Sequence, residues 1–132
     1  MFIVRAIQDK VLQKSLCESM GAEYCENALA YFAADLKEDC ETIDEYIGVC
    51  QFIMQGNAEI LTYTCYEDRY EDEAVLVMLR TVMSFLHRCG VKYCYFDEKA
   101  APATLAKKSG FIYEDGRYGI DLEKFYTSKC CH

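Results

Sequence analysis

The hydrophobic pattern at the centre of the chain predicts a strand followed by a long helix. Ala58–Cys65 is mostly apolar or β-branched and predicts a strand, and Tyr66–Asp72 follows it as a short acidic turn. A helix from about Glu73 to Cys89 is predicted because apolar residues recur there at helical spacing. The residues on that face are Val75, Leu79, Val82, Leu86 and Cys89. Gly90 predicts the helix end, since glycine readily adopts a positive φ.

A strand that turns directly into a helix can hold an anion, because the unpaired N–H groups of the first helical turn converge on one spot. Residues 64–75 are therefore the first candidate for a functional site.

One strand and one helix are predicted at the N-terminus. Phe2–Ile7 is short and apolar and predicts a strand. Asp9 can cap the following helix, and Gly21 can end it. The predicted apolar stripe of this helix is Val11, Leu12, Leu16 and Met20.

Two further strands precede the central unit. Ala28–Leu36 predicts a strand because of its aromatic residues. The acidic run Lys37–Glu45 is interpreted as a solvated loop, since charge runs are usually surface. Ile47–Met54 is nearly continuously apolar, and Gln55-Gly56-Asn57 predicts a turn into an antiparallel hairpin with the central strand.

Beyond Gly90, Val91–Phe96 predicts a strand that is buried on both faces. Pro102 suits the first turn of a helix, which is expected to run to about Lys108 and to end at Gly110.

The last predicted element is a hairpin. Phe111–Tyr113 and Tyr118–Leu122 flank Glu114-Asp115-Gly116-Arg117, which contains an Asp-Gly pair typical of tight hairpin turns. The element order is then β-α-β-β-β-α-β-α-β-β. This order predicts an α/β fold in one domain spanning residues 1–132, with a mixed β-sheet flanked by helices.

Charge narrows the classes of partner. The chain has 14 Lys and Arg against 22 Asp and Glu, a net charge of −8 and a pI near 4.7. An acidic surface repels phosphate backbones and anionic lipids, so nucleic acid and membrane surfaces are not expected partners. No segment approaches the roughly 20 apolar residues of a membrane span, and the N-terminus lacks a signal-peptide layout. We therefore expect a cytoplasmic protein.

Nine cysteines raise the alternatives of disulfides or a metal site. The odd count and the scatter through core-like positions favour free thiols in a reducing compartment. Cys130-Cys131-His132 could bind a metal, but this tail lacks a second spaced pair of ligands. We expect no metal.

The element order, the central strand-turn-helix and the segment LAKKSGF at Leu105–Phe111 resemble the GNAT superfamily of N-acetyltransferases. The resemblance covers nearly the whole chain. It implies a GNAT-like fold and transfer of an acetyl group from acetyl-CoA to an amine. The family holds the cofactor pyrophosphate on a [Q/R]-x-x-G-x-[G/A] loop between the fourth strand and the next helix.

The corresponding loop departs from that pattern. The residues aligned with the loop are Arg69, Tyr70, Glu71, Asp72, Glu73 and Ala74. Arg69 and Ala74 match, whereas Asp72 replaces the glycine that lets the backbone approach phosphate. Three successive carboxylates at an anion site oppose phosphate binding, although acidic residues also stabilise the first turn of any helix. The resemblance therefore implies a degenerate acetyl-CoA site.

A second departure concerns the general acid. Many members of the family have a tyrosine on the helix after the fifth strand, and Ala106 stands there. Lys99 stands where an asparagine often contacts the pantetheine arm. Tyr63, Tyr95 and Tyr118 are candidate replacement acids.

By resemblance, the oxyanion would be held by backbone N–H groups at the end of the fourth strand, where Thr64 and Cys65 lie. Glu59 is the nearest carboxylate on that strand and is the candidate base. The acidic surface favours a cationic small-molecule or peptide amine as acceptor. The oligomeric state is not specified.

Three alternatives remain open at this point. The chain is an acetyltransferase, or it is a GNAT-like binding module without CoA chemistry. The charges at residues 71–73 favour the binding module. A metal or redox protein built on the cysteines is the third class.

Overall fold

The computed structural model describes residues 1–66 and 73–130, with side chains described as far as residue 127. The elements are β1 (Phe2–Ala6), α1 (Lys10–Ser19), β2 (Leu29–Leu36), β3 (Ile43–Gln55), β4 (Asn57–Cys65), α2 (Glu73–Arg88), β5 (Tyr93–Phe96), α3 (Ala103–Lys108), β6 (Ile112–Glu114), β7 (Arg117–Asp121) and α4 (Leu122–Cys130).

The strands form one mixed sheet in the order β1-β2-β3-β4-β5-β7-β6. The pairing of β4 with β5 is parallel, and the other described pairings are antiparallel. The predicted mixed sheet with flanking helices is confirmed, and β4 lies at its centre. The β3–β4 hairpin is also confirmed, because Gln55 pairs with Asn57 around Gly56, whose φ is +80°.

Helix α2 forms the main core against this sheet. Val75, Leu79, Val82 and Leu86 are completely buried, as their spacing predicts. Cys89 is exposed instead, because the helix ends at Arg88 and the chain turns away at Gly90, whose φ is +83°.

Helix α1 begins as predicted, because the Asp9 carboxylate accepts a hydrogen bond from the Val11 N–H at 2.9 Å. Its predicted apolar stripe is partly wrong, since Val11 is 77% exposed. The buried face is Gln13, Leu16 and Cys17. The polar Gln13 occupies an inward position because its amide finds buried hydrogen-bond partners.

Two strand predictions are corrected. Lys37–Glu45 is not entirely loop, because β3 begins at Ile43, which pairs with Leu36. Asp44 and Glu45 are strand residues with exposed side chains, so charge alone did not exclude a strand. Strand β5 is not buried on both faces: Cys94 and Phe96 are inside, whereas Tyr93 is 40% exposed.

The C-terminal hairpin turns at Asp115 and Gly116, whose φ values of 53° and 85° match the predicted tight turn. Its strands are Ile112–Glu114 and Arg117–Asp121, one residue away from the predicted bounds at each end. Helix α4 was not predicted. It has a weak apolar period: Leu122 is completely buried in the core, and Phe125 and Tyr126 pack against that core half-buried.

Within the described residues, no helix combines the length and apolar character that crossing a membrane requires.

Candidate functional site

The candidate site is a cleft that opens where β4 and β5 separate. Their parallel ladder consists of three residue pairs and ends at Ile60 and Phe96. The Asp97 N–H then donates to the Ile60 carbonyl at 2.8 Å, and the chain leaves the sheet. Strand β4 continues to Cys65, so its last residues lie beyond the end of β5. The separation leaves a cleft of about 800 Å³.

A bulge in β4 accompanies this separation. Gln51 pairs with Thr62 and Phe52 pairs with Ile60, so Leu61 is an extra residue on β4. A bulge bends its strand and increases the local twist. The bend falls at the residue where the ladder with β5 ends, so it helps to open the cleft.

Three segments line the cleft. The first is the end of β4, and the second is the α1–β2 loop, defined as Met20–Ala28. The third runs from the end of β5 into α3. The lining residues are Leu61–Thr64 from β4, Gly21–Glu23 and Cys25 from the loop, and Asp97 and Lys99–Leu105 from the third segment.

Two acidic residues, Glu23 and Asp97, and two threonines of β4, Thr62 and Thr64, are among the residues that line the cleft. Asp97 accepts a hydrogen bond from the Lys99 N–H at 3.0 Å, which fixes the carboxylate in the loop after β5. The cleft therefore offers groups that can attract a cation and exchange a proton.

Cys25 also faces this space. Burial, followed by the charge of Glu23, raises the pKa of the Cys25 thiol. Its thiol is therefore kept protonated and is a weak nucleophile at neutral pH.

The predicted cofactor-binding residues are only partly described. Thr64 lines the cleft, whereas Cys65 is buried at the end of β4. Glu73 is exposed at the first residue of α2, and Ala74 is completely buried behind it. The remaining predicted residues lie outside the described part of the chain: Arg69, Tyr70, Glu71 and Asp72.

The predicted catalytic residues Glu59, Tyr95 and Tyr118 do not line the cleft. Glu59 and Tyr95 are partners in the β4–β5 ladder, one pair before the strands separate. The Arg117 guanidinium lies 3.8 Å from the centre of the Tyr95 ring, a cation–π contact. Tyr118 is buried, and its ring packs edge-on against Tyr113 at 5.1 Å between centroids.

Three other residues were considered in the sequence for the general acid or the pantetheine contact: Tyr63, Lys99 and Ala106. Tyr63 lines the cleft, but its hydroxyl donates to the buried Val75 carbonyl. Lys99 lines the cleft with an exposed side chain. Ala106 lies on the buried face of α3 and provides no hydroxyl.

Sequence reasoning missed Glu23, Thr62 and Asp97. A signal existed for Asp97, because it directly follows a strand parallel to its neighbour, and ligands often bind at the carboxyl ends of parallel strands. The sequence also gave an indication for Gln51, because it is a polar residue within the apolar run of β3. It gave none for Glu23, since the α1–β2 loop approaches β4 only in the folded chain.

No protein-family model matches the chain, and no curated protein matches it. Solved structures do match. A Desulfovibrio desulfuricans protein assigned to the GNAT family of acetyltransferases is 15% identical, with a TM-score of 0.64 over 92% of this chain and 99% of that one.

Mutant forms of the spermidine/spermine N-acetyltransferase from Vibrio cholerae are 12% identical, with a TM-score of 0.64 over 97% of this chain and 99% of that one. A chain of the NatC complex bound to Gag peptide and CoA is 12% identical, with a TM-score of 0.61 over 89% of this chain and 94% of that one. At these identities the likeness concerns the fold. The mixed sheet and its flanking helices therefore give this chain the fold of the GNAT acetyltransferases.

Proposed function

We propose that this chain transfers an acetyl group from acetyl-CoA to an amine, in the cleft between β4 and β5. The observation that supports the proposal is the early end of the β4–β5 ladder at Ile60 and Phe96. It leaves the end of β4 beside an open cleft at the centre of the sheet. An exposed strand edge binds extended ligands through its backbone groups.

The described lining is compatible with the pantetheine arm and acetyl end of acetyl-CoA. A volume of about 800 Å³ lies in the range of small-molecule pockets. Ala100, Ala101 and Ala103 are small and leave space beside β4. When bound, acetyl-CoA would supply the acetyl carbonyl and a thiolate leaving group.

The residues of this chain would then handle charge and protons. Asp97 would accept a proton from the incoming amine, because an amine must be neutral to attack a carbonyl. Backbone N–H groups around Thr64 and Cys65 would stabilise negative charge on the carbonyl oxygen. The new C–N bond would form as the C–S bond breaks. Glu59, predicted as the base from sequence, is the alternative to Asp97.

The acceptor class follows from charge. Glu23 and Asp97 lie in the cleft, and the chain has a net charge of −8. Opposite charge steers and concentrates a charged ligand. We propose a cationic small-molecule or peptide amine as the acceptor, with neither nucleic acid nor membrane as partner, in the cytoplasm.

A second candidate is a binding module that retains the fold without CoA chemistry. It is favoured by Glu73, which places an exposed carboxylate at the start of α2, and by the absence of a hydroxyl at Ala106. Glu71 and Asp72 add two more carboxylates in sequence. A carboxylate about 6 Å from a phosphate charge costs roughly 0.7 kcal/mol at the dielectric constant of water.

Calorimetric titration with acetyl-CoA at one low ionic strength separates the two candidates. We expect the natural protein to bind weakly, with a dissociation constant above about 1 mM. The triple variant Glu71→Gln, Asp72→Gly, Glu73→Gln should bind at least about tenfold more tightly, because three like charges are removed from the anion site. Low salt is needed because screening would hide the difference.

The matched control is Glu38→Gln, Glu41→Gln, Asp44→Asn, which removes three exposed charges between β2 and the start of β3. It should leave acetyl-CoA affinity unchanged. Micromolar binding by the natural protein would contradict the degenerate loop and support an active enzyme. No binding by either the natural protein or the first triple variant would support the binding module.

A further inference from the structure

A buried amide joins two walls of the cleft. Gln51 on β3 and Gln13 on α1 are both completely buried. Gln51 Nε2 donates to the Glu23 carbonyl at 2.7 Å and to Thr62 Oγ1 at 2.9 Å. Gln51 Oε1 accepts from the Cys25 N–H and from Gln13 Nε2, both at 2.9 Å. Every hydrogen-bonding capacity of the Gln51 amide is therefore used within the protein.

The backbone partners fix which end of this amide is oxygen. The Cys25 N–H can only donate and the Glu23 carbonyl can only accept, so the Gln51 oxygen faces Cys25 and its nitrogen faces Glu23. The nitrogen also meets Thr62, so the Thr62 hydroxyl is an acceptor in that contact. The Thr62 hydroxyl can therefore donate its own proton to another group, and no acceptor for that proton is found among the described residues.

The same direction extends back to α1. Lys10 Nζ donates to Gln13 Oε1 at 3.2 Å, and Gln13 Nε2 donates to Gln51. Gln13 Nε2 also contacts the Cys25 and Ala28 carbonyls at 3.3 and 3.4 Å. The donor direction runs from Lys10 through both glutamines to Thr62, and the α1–β2 loop is bound along the way. Aligned hydrogen bonds of this kind strengthen one another.

We propose that Gln51 is a positioning residue for the cleft: it holds the α1–β2 loop as one wall and directs the Thr62 hydroxyl proton toward a ligand oxygen in the cleft. The role in ligand binding rests on the proposed function, whereas the role in holding the α1–β2 loop is independent of it. Gln51 is 0% exposed, so it affects the cleft through its partners Glu23, Cys25 and Thr62, which line it.

The natural protein provides the first test. Hydrogen exchange of the Cys25 amide should be strongly slowed, because its N–H is bonded to a buried oxygen. Exchange as fast as that of the exposed neighbours Glu26 and Asn27 would overturn the proposal. This measurement needs no variant, so it decides the matter even if substitution of Gln51 prevents folding.

Alkylation of native thiols, followed cysteine by cysteine by mass spectrometry, provides the second test. Gln51→Met keeps the length of the side chain and removes its hydrogen bonds, so Cys25 should react about tenfold faster as the loop opens. Cys50 and Cys94, both completely buried in the core, should stay protected. Gln55→Met changes an exposed glutamine on the same strand and should have no effect. An unchanged Cys25 rate in a folded Gln51→Met variant would overturn the proposal.

Acetyl-CoA supplied above its dissociation constant separates this inference from the proposed function. It should shield Cys25 from alkylation in the natural protein and in Thr62→Ser, which keeps the hydroxyl. The shielding should weaken in Thr62→Val and in Gln51→Met. Equal shielding in Thr62→Ser and Thr62→Val would overturn the role of the hydroxyl. Absence of shielding in the natural protein, with the first two tests as expected, would reject the proposed function and leave the role in holding the loop.

Discussion

At the scale of single residues, polar groups near the cleft differ in how much of their chemistry is already used. All four hydrogen-bonding positions of the Gln51 amide have partners within the protein. The Tyr63 hydroxyl donates to the Val75 carbonyl. Asp97 accepts from the Lys99 N–H through one oxygen. A carboxylate has about four acceptor positions, so Asp97 retains capacity for a ligand. Its position in the cleft makes it the stronger candidate base than Glu59.

We predict that Asp97→Asn lowers the rate of acetyl transfer to a polyamine by about a hundredfold or more, the usual contribution of a positioned base. Glu59→Gln should change that rate by less than about twofold, because Glu59 lies in the ladder before the cleft opens. Both variants keep the shape of the side chain. Initial rates of the natural protein and both variants, measured at one fixed acetyl-CoA concentration, would decide, and the opposite ranking would restore Glu59 as the base.

At the scale of elements, α2 supplies the face on which the sheet depends. Its inward residues include Leu79, which is completely buried, whereas the adjacent Arg80 is exposed. The helix also places Glu73 at its N-terminus, where an acidic side chain stabilises the helix dipole. The negative charge of Glu73 stabilises the helix but repels a phosphate. At the N-terminus of α2, helix stability and affinity for the cofactor phosphates therefore make opposite demands.

Leu79→Ala should lower the free energy of unfolding by about 2 to 5 kcal/mol, because it removes buried methyl groups and leaves a cavity. Arg80→Ala should cost less than about 0.5 kcal/mol as the exposed control. Urea denaturation followed by circular dichroism measures both. A loss at Leu79 no larger than that at Arg80 would contradict the packing of α2.

At the scale of the whole molecule, buried thiols couple stability to pH. Burial raises the pKa of Cys94 to about 12 and, with smaller contributions from Cys25 and Glu18, that of Cys17 to about 11. Burial also raises the pKa of Cys50. Thiols in the unfolded chain ionise near 9. Their contribution to stability is therefore complete below about pH 9 and is lost as the pH rises toward the folded values.

We predict a lower urea midpoint at about pH 10 than at about pH 8, with a smaller decrease in Cys94→Ala, which lacks one of these groups. An equal decrease of the urea midpoint in both proteins would show that ionisation of the Cys94 thiol does not cause it.

The cysteine count makes a separate prediction. Denatured protein, prepared under reducing conditions, should hold nine titratable thiols and no stoichiometric metal. The described cysteines include six free thiols, at Cys17, Cys25, Cys40, Cys50, Cys89 and Cys94. One zinc ion per chain, removable only by chelation with loss of folding, would contradict the prediction.

Local patterns determined much of the fold. The helical period of α2, the Asp9 cap, the turn at Gly56 and the Asp115-Gly116 hairpin depend on neighbouring residues, so they could be predicted from the sequence. The order of these elements, the central strand-turn-helix and the segment Leu105–Phe111 together carried the resemblance to the GNAT fold. Helix α4 was missed because its short apolar period is weak and it gains stability by packing Tyr126 on His87, whose rings lie 4.4 Å apart.

The site depended on contacts that no local pattern contains. Glu59 was proposed as the base because it lies on the right strand, but sequence position does not show where two strands separate. The end of the β4–β5 ladder, the approach of Glu23 to β4 and the placement of Asp97 in the cleft are properties of the folded sheet.

Gln13 and Gln51 show the division most directly. By sequence, each is a polar residue in an apolar pattern, a position that costs free energy unless its hydrogen bonds are satisfied. The sequence alone determined the sheet, its main helix and the acidic charge. Only the tertiary structure brought the two amides together, because their partners lie up to 38 residues apart along the chain. Those long-range hydrogen bonds decided which polar side chains are buried and which face the cleft.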